Sequence, residues 1–256
     1  MVKNKYLADF SGRRVVVMGA SSGIGLQVAR ALAAAGVRVG LAARRTQQLE
    51  ALKQEYPSLV ECAAIDVNDS DAPARLMALI GELGGMDIYF HAAGIGVPNP
   101  GMDPDEEARV ISTNAAGFAR MLAAAYNYFR TSGHTGRIAA ITSVAGTKGI
   151  GTMAAYSASK RCASTYMEAL GQLAREEKVP VKFTDIRPGW IDTPLLTPGT
   201  RHAMEMTPQY AVPLIIRAIA RGGRVAVVDW RWRMLVALWR LLPSWLWVRL
   251  KVNITI

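Results

Sequence analysis

The chain has 256 residues, 51% of them hydrophobic and 20% charged, which suits one large α/β domain with a substantial core. Two cysteines, Cys62 and Cys162, cannot build a disulfide framework, and neither sits in a CxxC or beside a histidine cluster, so no metal site is expected and a reducing cytoplasm is the natural compartment. The net charge is +10, and the basic residues before residue 230 are scattered without aromatic–basic interleaving, which argues against nucleic acid as a partner. Residues 1–10 carry no signal-peptide apolar region, and no stretch reaches the ~18 uninterrupted apolar residues of a membrane span.

Apolar runs alternate with helical patterns along the chain. Residues 14–18 read as a first strand and 25–35 as the helix after it. A second strand at 37–42 leads into a polar helix ending near residue 56. Strands at 60–65 and 86–91 flank a helix at 72–83, and one long helix is expected over 105–130. A strand at 136–142, a second long helix at 153–177, a strand at 181–186, a helix at 208–221 and a strand at 224–228 complete the pattern. Seven strands with intervening helices predict a doubly wound parallel sheet, a Rossmann-like α/β fold. The catalytic domain is expected to span 1–229, with 230–256 as a C-terminal amphipathic helical tail.

The first strand runs into Gly19-Ala20-Ser21-Ser22-Gly23-Ile24-Gly25. Such a turn lets backbone come close to a pyrophosphate, and the helix N-terminus presents free N–H groups to the anion. Gly19, Ser21, Ser22, Gly23, Ile24 and Gly25 are therefore candidate cofactor contacts. The spacing is GxxxGxG, not the commonest dinucleotide fingerprint GxGxxG. At the end of the second strand an acid would bind the adenosine ribose hydroxyls, but here the chain reads Ala42-Ala43-Arg44-Arg45. A guanidinium can fork onto a 2′-phosphate, so NADP(H) is favoured over NAD(H), with Arg44 the stronger candidate and Arg45 beside it. Asp66-Val67 follows the third strand, where Asp66 either accepts from an adenine amino group or simply forms a turn.

A carbonyl reduction needs a proton donor beside the developing alkoxide. Tyr156 can supply it if its phenol, with an ordinary pKa of about 10, is made more acidic. Lys160 lies at i+4 on the same helical face and its ammonium would favour phenolate. Ser143 stands at the end of the fifth strand, where it can hold the substrate oxygen. Asn114, in the helix after the fourth strand, can bind a water that passes protons to Lys160. Each residue alone has a structural explanation; their order and their places in the βα alternation carry the case.

Through these residues the chain resembles the single-domain branch of the short-chain dehydrogenases/reductases, over about residues 11–195. The resemblance implies a catalytic tetrad of Asn114, Ser143, Tyr156 and Lys160, with Tyr156 and Lys160 also at the cofactor. It implies that Pro188-Gly189 and Ile191-Asp192-Thr193 close over the nicotinamide carboxamide, Ile191 through backbone and Thr193 through its hydroxyl. It also implies a homo-oligomer, a dimer or tetramer built on the two long helices. One segment departs from the family: Asn-Asn-Ala-Gly after the fourth strand is His91-Ala92-Ala93-Gly94 here, with Ala93 and Gly94 at the cofactor. His91 is read first as a buried structural histidine.

By the same resemblance Val144, Ala145, Met153, Trp190 and Leu195 line the substrate site, with Arg201 and His202 as the only cations nearby. The lining implies an uncharged, lipophilic carbonyl or secondary alcohol. Five of the six tryptophans fall after residue 229, in a stretch with four arginines, Lys251 and no acid. Trp232, Leu235, Trp239 and Leu242 recur there at helical spacing before Pro243. Tryptophan and arginine on a short amphipathic helix suit a membrane interface, and they equally suit packing on the protein or on a second subunit. The expected function is an NADP(H)-dependent oxidoreductase interconverting a carbonyl and a secondary alcohol. A non-catalytic NADP(H)-binding sensor and a membrane-interface adaptor acting through the tail remain the alternatives.

Overall fold

The computed structural model describes residues 6–96, 98–196 and 202–250. Arg201, Lys251 and the rest of the tail beyond residue 250 lie outside the described residues. Seven strands form one parallel sheet: β1 (Arg14–Met18), β2 (Arg38–Ala43), β3 (Val60–Ala64), β4 (Ile88–His91), β5 (Gly136–Ile141), β6 (Val181–Arg187) and β7 (Val225–Val227). Their order is β3-β2-β1-β4-β5-β6-β7. The chain thus builds outward from β1 to β3, then returns to pair β4 with the other side of β1. That reversal opens a crevice beyond the carboxyl ends of β1 and β4, the place where open α/β sheets bind ligands.

The helices are α1 (Gly23–Ala34), α2 (Gln47–Glu55), α3 (Ala72–Glu82), α4 (Pro104–Ile111), α5 (Phe118–Ser132), α6 (Ala154–Glu176), α7 (Pro208–Arg221), α8 (Trp230–Leu241) and the single turn α9 (Ser244–Trp247). Side chains alternate across a strand, so β1 feeds two cores. Val15 and Val17 pack with Leu32 of α1, Leu49 of α2, Ile215 of α7 and Trp232 of α8. Val16 and Met18 pack with Leu76 of α3, Leu122 of α5 and Met167 of α6. All of these strand residues are fully buried, as expected when helices cover both faces of a parallel sheet.

The long helix expected over 105–130 is two helices joined by a π-helical turn, Ser112–Gly117. Two long-range contacts set it. Gly117 passes so close to Val67 that an added Cβ would lie 2.7 Å from its side chain. Asn114, inside the turn, bonds the backbone of Ile95 through both amide atoms. An extra residue in the turn lets both contacts form at once; such π-bulges recur at functional sites.

Of the tail stripe, Trp232, Leu235 and Trp239 turn inward, and Leu242 is half-buried. Trp232 and Val236 are each 4% exposed within the core on the α1–α7 face, with Leu235 and Trp239 packed against it. Asp229 launches α8 at φ 73°, a conformation that side chains rarely adopt, and its carboxylate is committed there. It accepts the Arg231 backbone N–H and pairs with the Arg231 guanidinium, which holds its carboxyl below the usual range. Trp232→Ala should therefore cost about 3–5 kcal/mol. Trp230→Ala, on the opposite side of the same helix at 63% exposure, should stay within about 0.5 kcal/mol of wild type. Urea unfolding of the two variants checks the contrast.

Candidate active site

The glycine turn sits at the mouth of the crevice. Gly19 has φ 88°, and a Cβ there would strike the backbone of Ala93. A Cβ on Gly25 would strike the Gly19 carbonyl. Glycine at both positions thus lets the β1–α1 turn lie directly against the segment after β4. Ser22 makes no side-chain cap on α1, and no acid stands in the first turn. The positive end of the helix is therefore left for an anion. Thr193 closes the cradle from above, its Cβ 3.5 Å from where a Cβ on Gly23 would be.

Arg44 and Arg45 are exposed just past β2. Arg44 lies 3.7 Å from the Asp66 carboxylate, which also accepts the Asn68 N–H. So open an ion pair holds the guanidinium only weakly. Val67 serves the fold: its carbonyl accepts from Arg120 and its side chain packs on Gly117.

The tetrad residues converge at the carboxyl ends of β4 and β5. Lys160, on α6, is 6% exposed and donates to the Ile141 carbonyl at 3.1 Å. Burial lowers its pKa to about 8, against a smaller upward pull from Asp185. Its ammonium stands 5.7 Å from the Tyr156 ring centroid. The Tyr156 pKa is raised by burial and drawn back by a hydrogen bond with Ser143; Lys160 is not among the causes. The ammonium thus faces the Tyr156 ring and the Ile141 carbonyl. Ser143 caps a short 3-10 turn, Val144–Thr147, by accepting the Ala145 N–H.

Asn114 makes no direct bond to Lys160 among the described residues; both lie 3.2 Å from where a Cβ on Gly94 would be. Its amide accepts the Ile95 N–H at 2.8 Å and donates to the Ile95 carbonyl at 2.6 Å and the Ser159 hydroxyl at 3.3 Å. Ile95, Gly96 and Glu107 escaped the sequence reading. A Cβ on Gly96 would lie 2.8 Å from the Tyr156 ring. Glu107 of α4 accepts the Ala155 N–H at the start of α6, just ahead of Tyr156. The spaced glycines Gly94 and Gly96 were the available signal for a close-packed loop; nothing local marks Glu107.

Ala145 and Met153 form a small apolar cluster with Ile150, against which Tyr156 and Trp190 pack. Val144 turns instead into the core on the α1–α7 face, and Leu195 is 45% exposed and outside that cluster. Trp190 stacks on His202 with ring centroids 4.3 Å apart. Pro188 accepts the Val144 N–H, while Ile191 bridges to Met206. Gly189 presses on the Trp232 indole, leaving no room for a Cβ.

The tail holds this apolar end of the site in place. Trp239 donates to the Thr147 hydroxyl at 2.8 Å, and Trp247 to the Gly149 carbonyl at 2.7 Å. Lys148 donates to the Leu242 carbonyl, and Trp232 to the Met204 carbonyl.

The fold and crevice define a doubly wound α/β protein of the dinucleotide-binding kind. Residues 13–203 match the family model described as short chain dehydrogenase. The chain belongs to the short-chain dehydrogenase/reductase family and is an oxidoreductase of that family. It is 36% identical over 247 residues to an uncharacterized oxidoreductase of Myxococcus xanthus, covering 93% of this chain and 96% of that protein. A short chain dehydrogenase of Burkholderia cenocepacia, solved in complex with NADP, superposes with a TM-score of 0.81 at 20% identity, covering 94% of this chain and 98% of that one. A single-substitution variant of actinorhodin polyketide ketoreductase, solved with NADPH, is 30% identical with a TM-score of 0.64, covering 72% of this chain and 73% of that one.

His91 shows what fills the departure from the family motif. It is fully buried at the end of β4, with Nδ1 3.0 Å from the Tyr89 hydroxyl, its ring 4.9 Å from Phe118 and Nε2 without a close hydrogen-bond partner among the described residues. Burial, then the nearby Lys160 charge, lowers its pKa from 6.5 to about 3. Between those values the unfolded chain binds a proton that the folded one refuses, so stability falls as pH falls through the window. The stability of wild type relative to His91→Asn should therefore drop as pH goes below 6.5. Urea unfolding across pH measures it, and a pH-independent difference would mean the folded ring protonates normally.

Proposed function

We propose that this oxidoreductase interconverts a carbonyl and a secondary alcohol with NADP(H), on an uncharged, lipophilic small molecule. The observation that carries the proposal is the convergence of Ser143, Tyr156 and Lys160 beside the apolar cluster of Ala145, Ile150, Met153 and Trp190. When bound, the nicotinamide supplies or accepts the hydride.

The residues present fit such a cofactor. The cradle of Gly19, Ser21, Ser22, Gly23, Ile24 and Gly25 at the uncapped start of α1 would hold the pyrophosphate. Arg44, released from its loose contact with Asp66, would take a 2′-phosphate with Arg45 beside it. Asp66 and Val67 would flank the adenine, and Ala93 and Gly94 the middle of the cofactor. Pro188, Gly189, Ile191 and Thr193 would close over the carboxamide end. The NADPH and NADP complexes of the two structural relatives favour the phosphorylated form.

Tyr156 would give its phenolic proton to the substrate oxygen. The Ser143 hydroxyl, whose influence draws the phenol pKa down, would hold that oxygen in position. Lys160 would supply positive charge beside Tyr156 as the phenolate forms, once its ammonium leaves the Ile141 carbonyl. Asn114 fixes the Ile95 backbone against this group and would support the route by which the proton is replaced. A homo-oligomer contacting through the α4–α5 and α6 helices belongs to the same proposal, supported by the exposed Ile111 and Leu173 on them. So does a cytoplasmic location, assumed because Cys62 and Cys162 are free thiols.

Two measurements test the proposal. NADPH and NADH titrated separately, followed by energy transfer from protein fluorescence, should show NADPH binding more tightly, and Arg44→Ala should weaken NADPH by about tenfold with little effect on NADH. Tyr156→Phe should lower kcat/KM for a ketone panel by about 10²–10⁴ while leaving NADPH binding intact. Equal binding of both nucleotides, or turnover surviving in Tyr156→Phe, would contradict the assignment.

A further inference from the structure

The inward turn of Trp232, Val236 and Trp239 leaves a second apolar stripe on the other side of the tail. Trp230, Met234, Leu238 and Leu241 follow one another at intervals of four, four and three residues, so they share one face of α8. They are 63%, 57%, 63% and 79% exposed. Trp245, Val248 and Leu250 carry the exposed apolar surface on past Pro243. Large apolar side chains exposed in a continuous row mark an interaction surface.

The cations lie along the same edge. Arg233 and Arg240 stand two turns apart, between the exposed stripe and the buried face, and Arg249 stacks over the Trp245 ring at 5.5 Å. None of the three forms an ion pair among the described residues, and residues 230–250 contain no acid. Of the tail arginines, Arg231 alone is neutralised, by Asp229.

We infer that the outer face of α8 and the turn after it docks on an anionic lipid surface. Tryptophan, leucine and methionine on one side with unpaired arginines at the border are what the boundary between acyl chains and acidic headgroups accepts. A second copy fits less well. Two-fold pairing of this face would bring the Arg233, Arg240 and Arg249 set against the same set from the second copy, and residues 230–250 supply no carboxylate between them. No described helix is long and apolar enough to cross a membrane, so the contact is peripheral.

The inner side of α8 holds Thr147, Gly189 and Met204 around the apolar cluster beside Tyr156, and Trp247 of α9 holds Gly149. A docked protein would therefore have the substrate loops near the lipid, and a lipophilic carbonyl could enter without crossing bulk water. That consequence rests on the proposed reductase function; the docking itself does not.

The test uses the full chain with extruded vesicles of phosphatidylcholine, with and without phosphatidylserine, at low and raised ionic strength. Wild type should co-sediment with the phosphatidylserine vesicles and be released by salt. Arg233→Gln with Arg240→Gln should weaken binding on the order of fivefold per arginine. Leu238→Glu with Leu241→Glu should abolish it; both pairs are exposed, and far-UV circular dichroism checks that each variant folds. Failure of wild type to co-sediment at low salt overturns the inference, as does binding that both variants retain. A wild-type dimer that Leu238→Glu with Leu241→Glu turns into a monomer, with no vesicle binding, assigns the face to a second copy and also overturns it. NADPH titration of the same preparations separates the two proposals. Vesicle binding without NADPH binding removes the reductase reading alone, and NADPH binding without vesicle binding removes the docking alone.

Discussion

A lysine ammonium held out of water is the constraint around which this crevice is built. Burying a charge is costly unless polar atoms surround it. Lys160 is met by the Ile141 carbonyl and, farther off, by the field of Asp185, itself bound by the Thr142 hydroxyl and Arg187. Backbone crowds in from two sides, at Gly94 and at Gly146, where a Cβ would lie 2.8 Å from the Lys160 backbone. The depressed pKa, about 8, records a cation only partly compensated. Such a charge is ready to favour an anion that forms near it, and the Tyr156 ring, its centroid 5.7 Å away, carries a group able to become one.

The same charge adds to what burial does to a neighbour. His91, at the end of β4, is pushed down to a pKa of about 3 first by its burial and then by the Lys160 ammonium. An imidazole in a pocket of Tyr89 and Phe118 keeps its bulk as packing and offers one nitrogen to the tyrosine hydroxyl. Replacing the family's asparagine with histidine therefore changes how the strand end is filled without adding a charge. Ala92, in place of the second asparagine, lies within contact of where Gly25 would carry a side chain, so the two turns interlock through small residues.

The sheet was legible because its strands are short apolar runs separated by helical periods, and β1 through β7 fall where those runs lie. The break in the long helix was not, because it depends on Val67 and Ile95, far away in sequence. Within the site, the i+4 spacing puts Tyr156 and Lys160 on one face, yet the ammonium's partner is a carbonyl on β5 that no local pattern marks. Val144 and Ala145 are adjacent in one tight turn and face different clusters, a choice made by which surface each meets. In the tail, periodicity identifies an apolar stripe but not what covers it. Trp232 and Trp239 are covered by the protein, and a second stripe of equal period stays outside.

The clamp from the tail joins residues far apart in the chain: Thr147 to Trp239 and Gly149 to Trp247. During synthesis, Tyr156 and Lys160 leave the ribosome well before those tryptophans do. A nascent chain can pair its first six strands and bury most of its core while the loops beside the phenol still lack their outer support. Contacts closed over so long a stretch of chain form late. The apolar end of the crevice would therefore take its shape only after the tail has been made, and would lose that support if the tail were pulled away.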